Sequence, residues 1–492
     1  MANTWKNKLY YGDNLSVLRS KHIKDESVDL VYIDPPFNSK RNYNQIYNNI
    51  GGEDRAQAQA FTDTWIWDDA ANDGLRQILD NQYGQFTSQN IELIKGLRNV
   101  LKEGSLLAYL VSITLRLAEI QRVLKPTGSF YLHCDPTASH YLKLVLDSTF
   151  CVRGGSFQNE IVWSYRTGGA GKKTFAKKHD VIFFYSQSNL YTFNTQYYKS
   201  WQNKKYNYNP KYPEHYDPEE KKYYHLSICR DVWDDVNPIG TENKERLGYP
   251  TQKPESLLER IITANTNEGD VVLDAYCGCG TTVAVAQRLK RRWIGIDITY
   301  QSISLVLRRL EKAFGKEVLD SITLDGIPKD MESAVALAHK KDDRLRKEFE
   351  KWAVLTYTNN RAVINDKKGA DQGIDGVAYF LTGKTENAKI IFQVKSGGIK
   401  RGDIATLRGD MEREQAAMAT LITLEKPTRP MIDEAKAAGQ FHHESMGKNY
   451  DKIQIVTIQE IIENDKRLDI PMSLEVLKAA RYEAGGEQEP LF

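Results

Sequence analysis

Two repeating patterns of apolar residues organise the first three-fifths of the chain. Short runs at 28–33, 129–133 and 271–274 are rich in β-branched and aromatic residues and are apolar on both faces, which predicts buried parallel strands. Residues 105–124 instead carry apolar side chains at helical spacing and end at the stop signal Lys125-Pro126-Thr127-Gly128. Strands that alternate with helices in this way predict an α/β fold with a parallel sheet.

The strand at 28–33 ends in Asp34-Pro35-Pro36-Phe37. The prolines cannot continue a ladder, so the strand stops at Asp34. Ligands of open α/β sheets bind just beyond the carboxyl ends of strands. The tetrapeptide therefore places a carboxylate, free carbonyls and an aromatic ring where a substrate binds, although a structural turn with a capping Asp has the same pattern.

A second strand, 271–274, ends in Asp274 and is followed by a turn with Gly278 and Gly280. A small-residue helix and a third strand, which ends in Asp297, come next. Glycines allow the backbone to approach a ligand, and the helix N-terminus favours a carboxylate. An acid at the end of the following strand can accept both hydroxyls of a ribose.

Together, Asp-Pro-Pro-Phe, Thr251-Gln-Lys-Pro254 and the Asp-x-x-x-Gly-x-Gly turn resemble the S-adenosylmethionine-dependent amino-methyltransferases of DNA (the N-4/N-6 family). The order of these motifs resembles the permuted, or beta, class, in which the catalytic half comes first. The resemblance implies a Rossmann-like methyltransferase fold. It also implies a cofactor site formed by Asp13, Thr251, Lys253, Asp274, Gly278, Gly280 and Asp297.

In this resemblance the catalytic residues are Asp34, Pro35, Pro36 and Phe37. Asp34 and the Pro35 carbonyl accept hydrogen bonds from the target amine, and Phe37 stacks on a base flipped out of double-stranded DNA. The family uses Asp mostly for adenine N6, which predicts N6-methyladenine. N4-methylcytosine is the alternative product.

The segment at about 187–245 has a different composition from its surroundings. Nine of the chain's 27 tyrosines fall between Tyr191 and Arg230, interspersed with Lys and Asn. Such side chains suit base edges, phosphates and stacking, so we interpret this insertion as the target-recognition segment. A polar surface insertion is the alternative.

The C-terminal part resembles the restriction-endonuclease-like nucleases of the Mrr type, which have an α/β fold. The resemblance rests on an amphipathic helix with Glu350, a glycine-flanked Asp375, and Gln393 and Lys395 on one strand. Asp375 and Gln393 are the predicted Mg²⁺ ligands, and Lys395 would orient the attacking water. Gln393 replaces the commoner acid, so an inactive nuclease fold that only binds DNA is the alternative.

These motifs predict a methyltransferase domain over 1–320, a linker over 321–345, a nuclease-like domain over 346–470 and a tail over 471–492. Basic and acidic residues nearly balance, 67 against 65, so a DNA-binding surface must be local. Five cysteines without a CxxC pair favour a reducing cytoplasm and argue against a zinc module. We expect a cytoplasmic, nucleoid-associated prokaryotic protein that does not bind a membrane.

Three hypotheses of function follow. The first is modification and restriction in one chain, and the second is a solitary methyltransferase with a non-cleaving DNA-binding module. The third is a catalytically silent DNA-binding partner, against which the intact motifs argue. A homodimer is a further expectation, and Gln488, Leu491 and Phe492 resemble a sliding-clamp-binding peptide.

Overall fold

The computed structural model describes most of the chain. The described residues are 5–20, 22–36, 41–46, 57–63, 65, 67–165, 173–202, 204–205, 213–240, 243, 245–247, 249, 251–328, 330–339, 343–359, 361–365, 373–382 and 387–470. Phe37 and the three residues of the predicted clamp-binding peptide lie outside this set.

The strands follow in chain order. They are β1 (Asn7–Tyr11), β2 (Val28–Ile33), β3 (Arg41–Ile46), β4 (Gln57–Asp63), β5 (Leu124–Cys134), β6 (Ser156–Ser164), β7 (His179–Ser186), β8 (Tyr197–Gln202), β9 (His215–Asp217), β10 (Lys222–Ile228), β11 (Val232–Trp233), β12 (Val271–Asp274), β13 (Arg292–Asp297), β14 (Ile322–Asp325), β15 (Val363–Ile364), β16 (Gly376–Leu381), β17 (Asn387–Lys395), β18 (Met418–Thr423), β19 (Gln440–His443), β20 (Lys448–Asp451) and β21 (Ile453–Thr457).

The helices also follow in chain order. They are α1 (Asn14–Arg19), α2 (Asp69–Asp80), α3 (Ser88–Leu101), α4 (Ser105–Val123), α5 (Ser139–Phe150), α6 (Glu255–Asn265), α7 (Thr281–Arg288), α8 (Tyr300–Phe314), α9 (Met331–Ala338), α10 (Asp343–Tyr357), α11 (Arg401–Arg413), α12 (Arg429–Ala437) and α13 (Ile458–Glu463).

The chain divides into two compact units, and the first comprises the described residues of 1–41, 63–298 and 309–323. Its main sheet has the strand order β11, β6, β7, β5, β2, β12, β13, β1, β14. Strands β5, β2, β12, β13 and β1 run parallel, whereas β7 runs antiparallel to β5 and β6. β2 and β12 are buried along their whole length, as their apolar runs predict.

Helices complete the core of this unit. α4 is the most buried of them, because its apolar residues surround most of its circumference, and it contacts α1, α2, α3 and α5. Apolar side chains of β2, β5 and β12 join those of α4 in one cluster. This mainly parallel sheet with packed helices confirms the predicted α/β fold.

The predicted recognition segment contains a small antiparallel sheet of β8, β10 and β9. Tyr197, Trp201, Leu226 and Ile228 expose large apolar side chains on it. In the cross-strand register Trp201 lies opposite Tyr224 and Tyr197 lies opposite Ile228, so these residues share one face.

The second unit comprises the described residues of 42–62, 299–308 and 324–492. Its sheet has the order β15, β16, β17, β18, β21, with β17, β18 and β21 parallel and β16 antiparallel to β17. One face packs on α11 and α12 through Ile391, Leu407, Leu421 and Met431. This mixed sheet confirms the predicted α/β character of the C-terminal region.

The predicted linker at 321–345 contains β14, α9 and the start of α10. The first unit ends at residue 323. The sequence motifs predict that the methyltransferase domain ends at residue 320. In the part of the chain that the structure describes, no helix combines the length and the apolar character that a membrane crossing needs.

Candidate active site

Four acids that the sequence predicts to follow strands meet at one edge of the main sheet. Asp34 follows β2, Asp274 and Asp297 end β12 and β13, and Asp13 lies two residues beyond β1. The order β2, β12, β13, β1 makes their strands immediate neighbours, and all four strands are parallel. Parallel strands bring their carboxyl ends to the same edge, so the structure gathers the predicted site residues there.

Asp34 begins the turn that ends β2. Pro35 is buried and Pro36 is half-buried, so the turn is anchored immediately after the carboxylate. The Asp34 side chain is 17% exposed, and one of its oxygens, Oδ2, accepts a hydrogen bond from the Nζ of Lys253. The carboxylate thus lies at the surface of the sheet edge with one oxygen held by a cation.

Lys253 reaches Asp34 from the segment before α6. Thr251 has a positive φ of 63°, and Pro254 is the residue at which the helix begins. Sequence analysis assigned both Thr251 and Lys253 to the cofactor. The structure places the Lys253 ammonium against the Asp34 carboxylate, whereas the Thr251 side chain is exposed.

A buried hydrogen-bonded chain lies close to Asp34. The Tyr32 hydroxyl is 3.0 Å from Nδ1 of His133, and Nε2 of His133 is 3.1 Å from the Asp180 carboxylate. Burial, followed by the charges of Asp34, Asp274 and Asp180, raises the pKa of Tyr32, so its hydroxyl keeps its proton and donates to His133. His133 is therefore a fully buried residue with hydrogen bonds at both ring nitrogens.

Electrostatics keep His133 neutral and Asp180 ionised. Burial and then the Lys253 charge lower the pKa of His133. Burial by itself would raise the pKa of Asp180, but the hydrogen bond with His133 and the Lys253 charge lower it. Lys253 therefore influences two acids, Asp34 and Asp180, from one position.

Asp274 holds the glycine turn together. Its carboxylate accepts hydrogen bonds from the Thr282 hydroxyl (2.5 Å) and the Tyr276 amide (3.0 Å). The group is almost completely buried, and burial raises the pKa of Asp274 to about 7 against these hydrogen bonds. Near neutral pH this carboxyl is therefore close to half-protonated.

The turn itself depends on glycine. Gly278 and Gly280 have φ angles of 49° and 74°, a region that side chains rarely adopt. A Cβ on Gly278 would lie 3.2 Å from the Tyr249 ring. The Gly278 amide donates to the Asp297 carboxylate at 2.9 Å, which joins the ends of β12 and β13.

Asp13 has two structural partners. One oxygen caps α1 by accepting from the Ser16 amide at 2.9 Å. The other accepts from Arg116 of α4 at 2.8 Å. Arg116 also donates to Asn14, and buried Asn14 donates to the Ala275 carbonyl in the glycine turn at 2.8 Å.

Sequence analysis missed Arg116 and Asn14. Arg116 is a charged residue in a mostly apolar helix, which is a usable signal, but nothing local identifies a partner 103 residues away. Asn14 directly follows Asp13, and its position at the first turn of α1 resembles an ordinary polar helix start.

The second unit brings three predicted nuclease residues together. Gln393 and Lys395 are two residues apart on β17 and share a face, and Asp375 accepts from the Val394 amide at 2.7 Å. The Gln393 side chain donates to the Gly373 carbonyl at 2.7 Å, while its own oxygen is buried without a hydrogen-bond partner among the described residues. Lys395 lies 3.9 Å from Asp403 of α11.

Glu350 belongs to the other side of this sheet. Its helix, α10, contacts β17 through Tyr357 and Phe392, whose ring centroids are 6.2 Å apart. Phe392 points away from the face of Gln393. In the described ranges, no group of three His, Cys, Asp or Glu side chains could hold a metal ion.

Family models match both parts of the chain. A model described as DNA methylase (N6_N4_Mtase) matches residues 28–308, more than half of the chain. A model described as NACHT-associated inactive Restriction Endonuclease 1 matches residues 345–463.

Curated relatives match about three-fifths of the chain. Type II methyltransferase M.HpaI of Haemophilus parainfluenzae is 26% identical over 302 residues, covering 60% of this chain and 71% of the relative. DNA adenine methyltransferase YhdJ of Escherichia coli (strain K12) is 28% identical over 312 residues, covering 62% of this chain and 83% of the relative.

Solved structures are similar at low identity. The M1.HpyAVI–SAM complex has a TM-score of 0.35 at 16% identity, over 62% of this chain and 98% of that chain. The cytosine-N4-specific PvuII DNA methyltransferase has a TM-score of 0.36 at 14% identity, over 64% and 92%.

Proposed function

The chain belongs to the DNA methylase family, and from this premise we propose that it methylates the N6 amine of adenine in double-stranded DNA, with S-adenosylmethionine as the methyl donor. The observation that carries the proposal is the position of Asp34. Its carboxylate begins the turn after β2, one strand away from the glycine turn after β12. The predicted amine acceptor and the predicted cofactor turn are therefore neighbours.

The residues of the glycine turn fit S-adenosylmethionine. Gly278 and Gly280 let the backbone turn sharply, and the Asp297 carboxylate at the end of β13 suits a ribose. We assign Asp13, Thr251, Asp274, Gly278, Gly280 and Asp297 to this site. When bound, S-adenosylmethionine supplies an electrophilic methyl group.

The chain's own residues would prepare the amine. Asp34 accepts one hydrogen bond from it and the Pro35 carbonyl accepts a second, which concentrates the nitrogen lone pair away from the ring. Phe37 would stack on the flipped base. Positioning supplies most of the rate, and Asp34 need not be a strong base because the proton can leave after methyl transfer.

The order of the parts along the chain supports the permuted class. The β2 turn comes first, the predicted recognition segment follows, and the glycine turn comes last. The exposed aromatic face of β8, β9 and β10 supports DNA recognition by this segment, since aromatic rings stack on bases.

The test is methylation of unmodified duplex DNA followed by mass spectrometry of its nucleosides. We expect N6-methyladenine from the native chain and a loss of at least about 10²-fold in Asp34→Ala. Asp135→Asn is the matched control, because Asp135-Pro136 follows the neighbouring strand β5 and, among the described residues, its carboxylate accepts hydrogen bonds from Thr137 and Ala138 in its own turn. N4-methylcytosine, or full activity in Asp34→Ala, would overturn the proposal.

We further infer that the second unit does not cleave DNA. Mg²⁺ requires open oxygen ligands and keeps several waters. The residues here do not fit such a site, because the Gln393 oxygen is buried and Asp375 accepts a backbone hydrogen bond. The match to a family described as inactive supports the same inference. Cleavage of unmethylated DNA with Mg²⁺, lost in Lys395→Ala, would contradict it.

A further inference from the structure

The catalytic carboxylate and a lysine meet although 219 residues separate them in the chain. Lys253 Nζ donates to Oδ2 of Asp34, and both side chains are largely buried, at 10% and 17% exposure. Among the described residues, none donates a hydrogen bond to the second oxygen, Oδ1. A carboxylate held by one oxygen has a defined orientation and one oxygen left to accept.

Lys253 is held rigidly where it is. It precedes Pro254, which restricts its backbone to extended conformations. The neighbouring Gln252 side chain bonds the Leu247 amide at 2.8 Å and the Glu245 carbonyl at 2.8 Å. These hydrogen bonds fix the segment that carries Lys253 to the preceding residues.

The surrounding charge also requires a cation. Asp34, Asp180 and Asp274 all lie near Tyr32, since each of their charges acts on it. His133 is neutral and contributes no positive charge to offset them. Lys253 supplies a positive charge directly beside Asp34.

We propose that Lys253 is a positioning residue for Asp34: its ammonium fixes one carboxylate oxygen and so presents the other to the target amine. This role rests on the proposed function and differs from the cofactor role that the Thr-Gln-Lys-Pro motif implied. A cofactor ligand would act on the affinity for S-adenosylmethionine. A residue that acts through Asp34 changes the rate of methyl transfer instead.

The first experiment compares Lys253→Met, Lys253→Arg and the native chain. We expect Lys253→Met to lower the single-turnover rate on saturating DNA and cofactor about 10²-fold, the order of loss that follows a small misplacement of a catalytic group. The calorimetric Kd for S-adenosylmethionine should stay within about threefold of native, which also shows that the variant is folded. Lys253→Arg should recover most of the rate, because a guanidinium can donate to the same oxygen.

The matched control is Lys125→Met. Lys125 forms a similar partly buried pair with Asp29, at 2.7 Å, elsewhere in the same unit. We expect it to leave the single-turnover rate unchanged.

A double-variant cycle gives the second readout. Asp34→Asn keeps a carbonyl that can accept from the amine, so a residual rate remains to be measured. If Lys253 acts through Asp34, adding Lys253→Met to Asp34→Asn lowers that residual rate by less than about threefold, because interacting residues are not additive.

Two results would overturn the positioning role. One is a tenfold or greater weakening of cofactor binding in Lys253→Met, and the other is full additivity with Asp34→Asn. Failure of the proposed function would look different, because the native chain would then produce no N6-methyladenine or Asp34→Asn would be as fast as native.

Discussion

Asp274 makes the stability of the first unit depend on pH near neutrality. Burial raises its pKa to about 7 in the folded chain, whereas the ordinary value is 3.8. Between these two values the folded state holds one proton more than the unfolded state. The stabilisation from this proton is therefore fully present below about pH 4 and is lost as pH rises through 7.

The size of the effect follows from the two values. Each unit of pKa difference corresponds to about 1.4 kcal/mol, so the whole window of about three units amounts to about 4 kcal/mol. Raising the pH from about 5.5 to about 8 crosses half of the window. We therefore expect this carboxyl alone to lower the free energy of unfolding by about 2 kcal/mol over that change.

The assay is the difference between the native chain and Asp274→Asn in denaturant unfolding, followed by hydrogen exchange in β12. Asparagine keeps the shape, and its carbonyl can still accept from the Tyr276 amide, as the carboxylate does. The free energy of unfolding of the variant, relative to that of the native chain, should rise by about 2 kcal/mol between about pH 5.5 and about pH 8. Parallel pH dependences of the two proteins would refute the reasoning, because every other titrating group is common to both.

Three further substitutions test other parts of the structure. Arg116→Met removes the donor that holds the Asn14 side-chain oxygen, and the Asn14 amide in turn donates to the Ala275 carbonyl of the glycine turn; the calorimetric Kd for S-adenosylmethionine should therefore rise about tenfold, or about 1.4 kcal/mol, while exposed Arg98→Met leaves it unchanged. Asp29→Ala removes the acceptor of Lys125 and of a buried amide of β12; thermal unfolding of the first unit should show a loss of about 1–3 kcal/mol, and an unchanged midpoint would contradict it. Gly373→Ala places a Cβ 2.7 Å from the Gln393 amide at a φ of 82°, so denaturant unfolding should show the second unit destabilised by at least about 1 kcal/mol, and equal stability would argue against strain there.

The sequence was sufficient to predict the sheet edge but not its pairing. Apolar runs ending in Asp34, Asp274 and Asp297 identified three buried strands. Their ends could be predicted because proline cannot donate to a strand ladder and glycine favours turns. The ion pairs at that edge join residues 103 and 219 positions apart. No periodicity records such contacts, since they depend on which strands become neighbours.

The motif-based role of Lys253 illustrates the same limit. Its neighbours in sequence, Thr251 and Pro254, associate it with the cofactor half of the chain. Its ammonium instead contacts the other half, because β2 lies next to β12 in the sheet. A motif specifies which residue types occur together along the chain, whereas the strand order decides which charges they meet.

Four carboxyl groups at one sheet edge repel one another unless each is compensated, and the structure compensates each in a different way. Asp13 accepts from a guanidinium, Asp34 from an ammonium and Asp297 from a backbone amide, while Asp274 is buried deeply enough to take up a proton near neutrality. The Lys253 ammonium fixes one oxygen of Asp34 and leaves the other to accept, whereas both oxygens of Asp13 and of Asp274 accept hydrogen bonds within the fold. This difference matches the proposed roles. Asp34 must present an oxygen in a defined direction to the target amine, whereas the acids of the cofactor site need only keep their positions. The same reasoning explains why neither Asp13 nor Asp274 could replace Asp34: both oxygens of each accept hydrogen bonds within the fold.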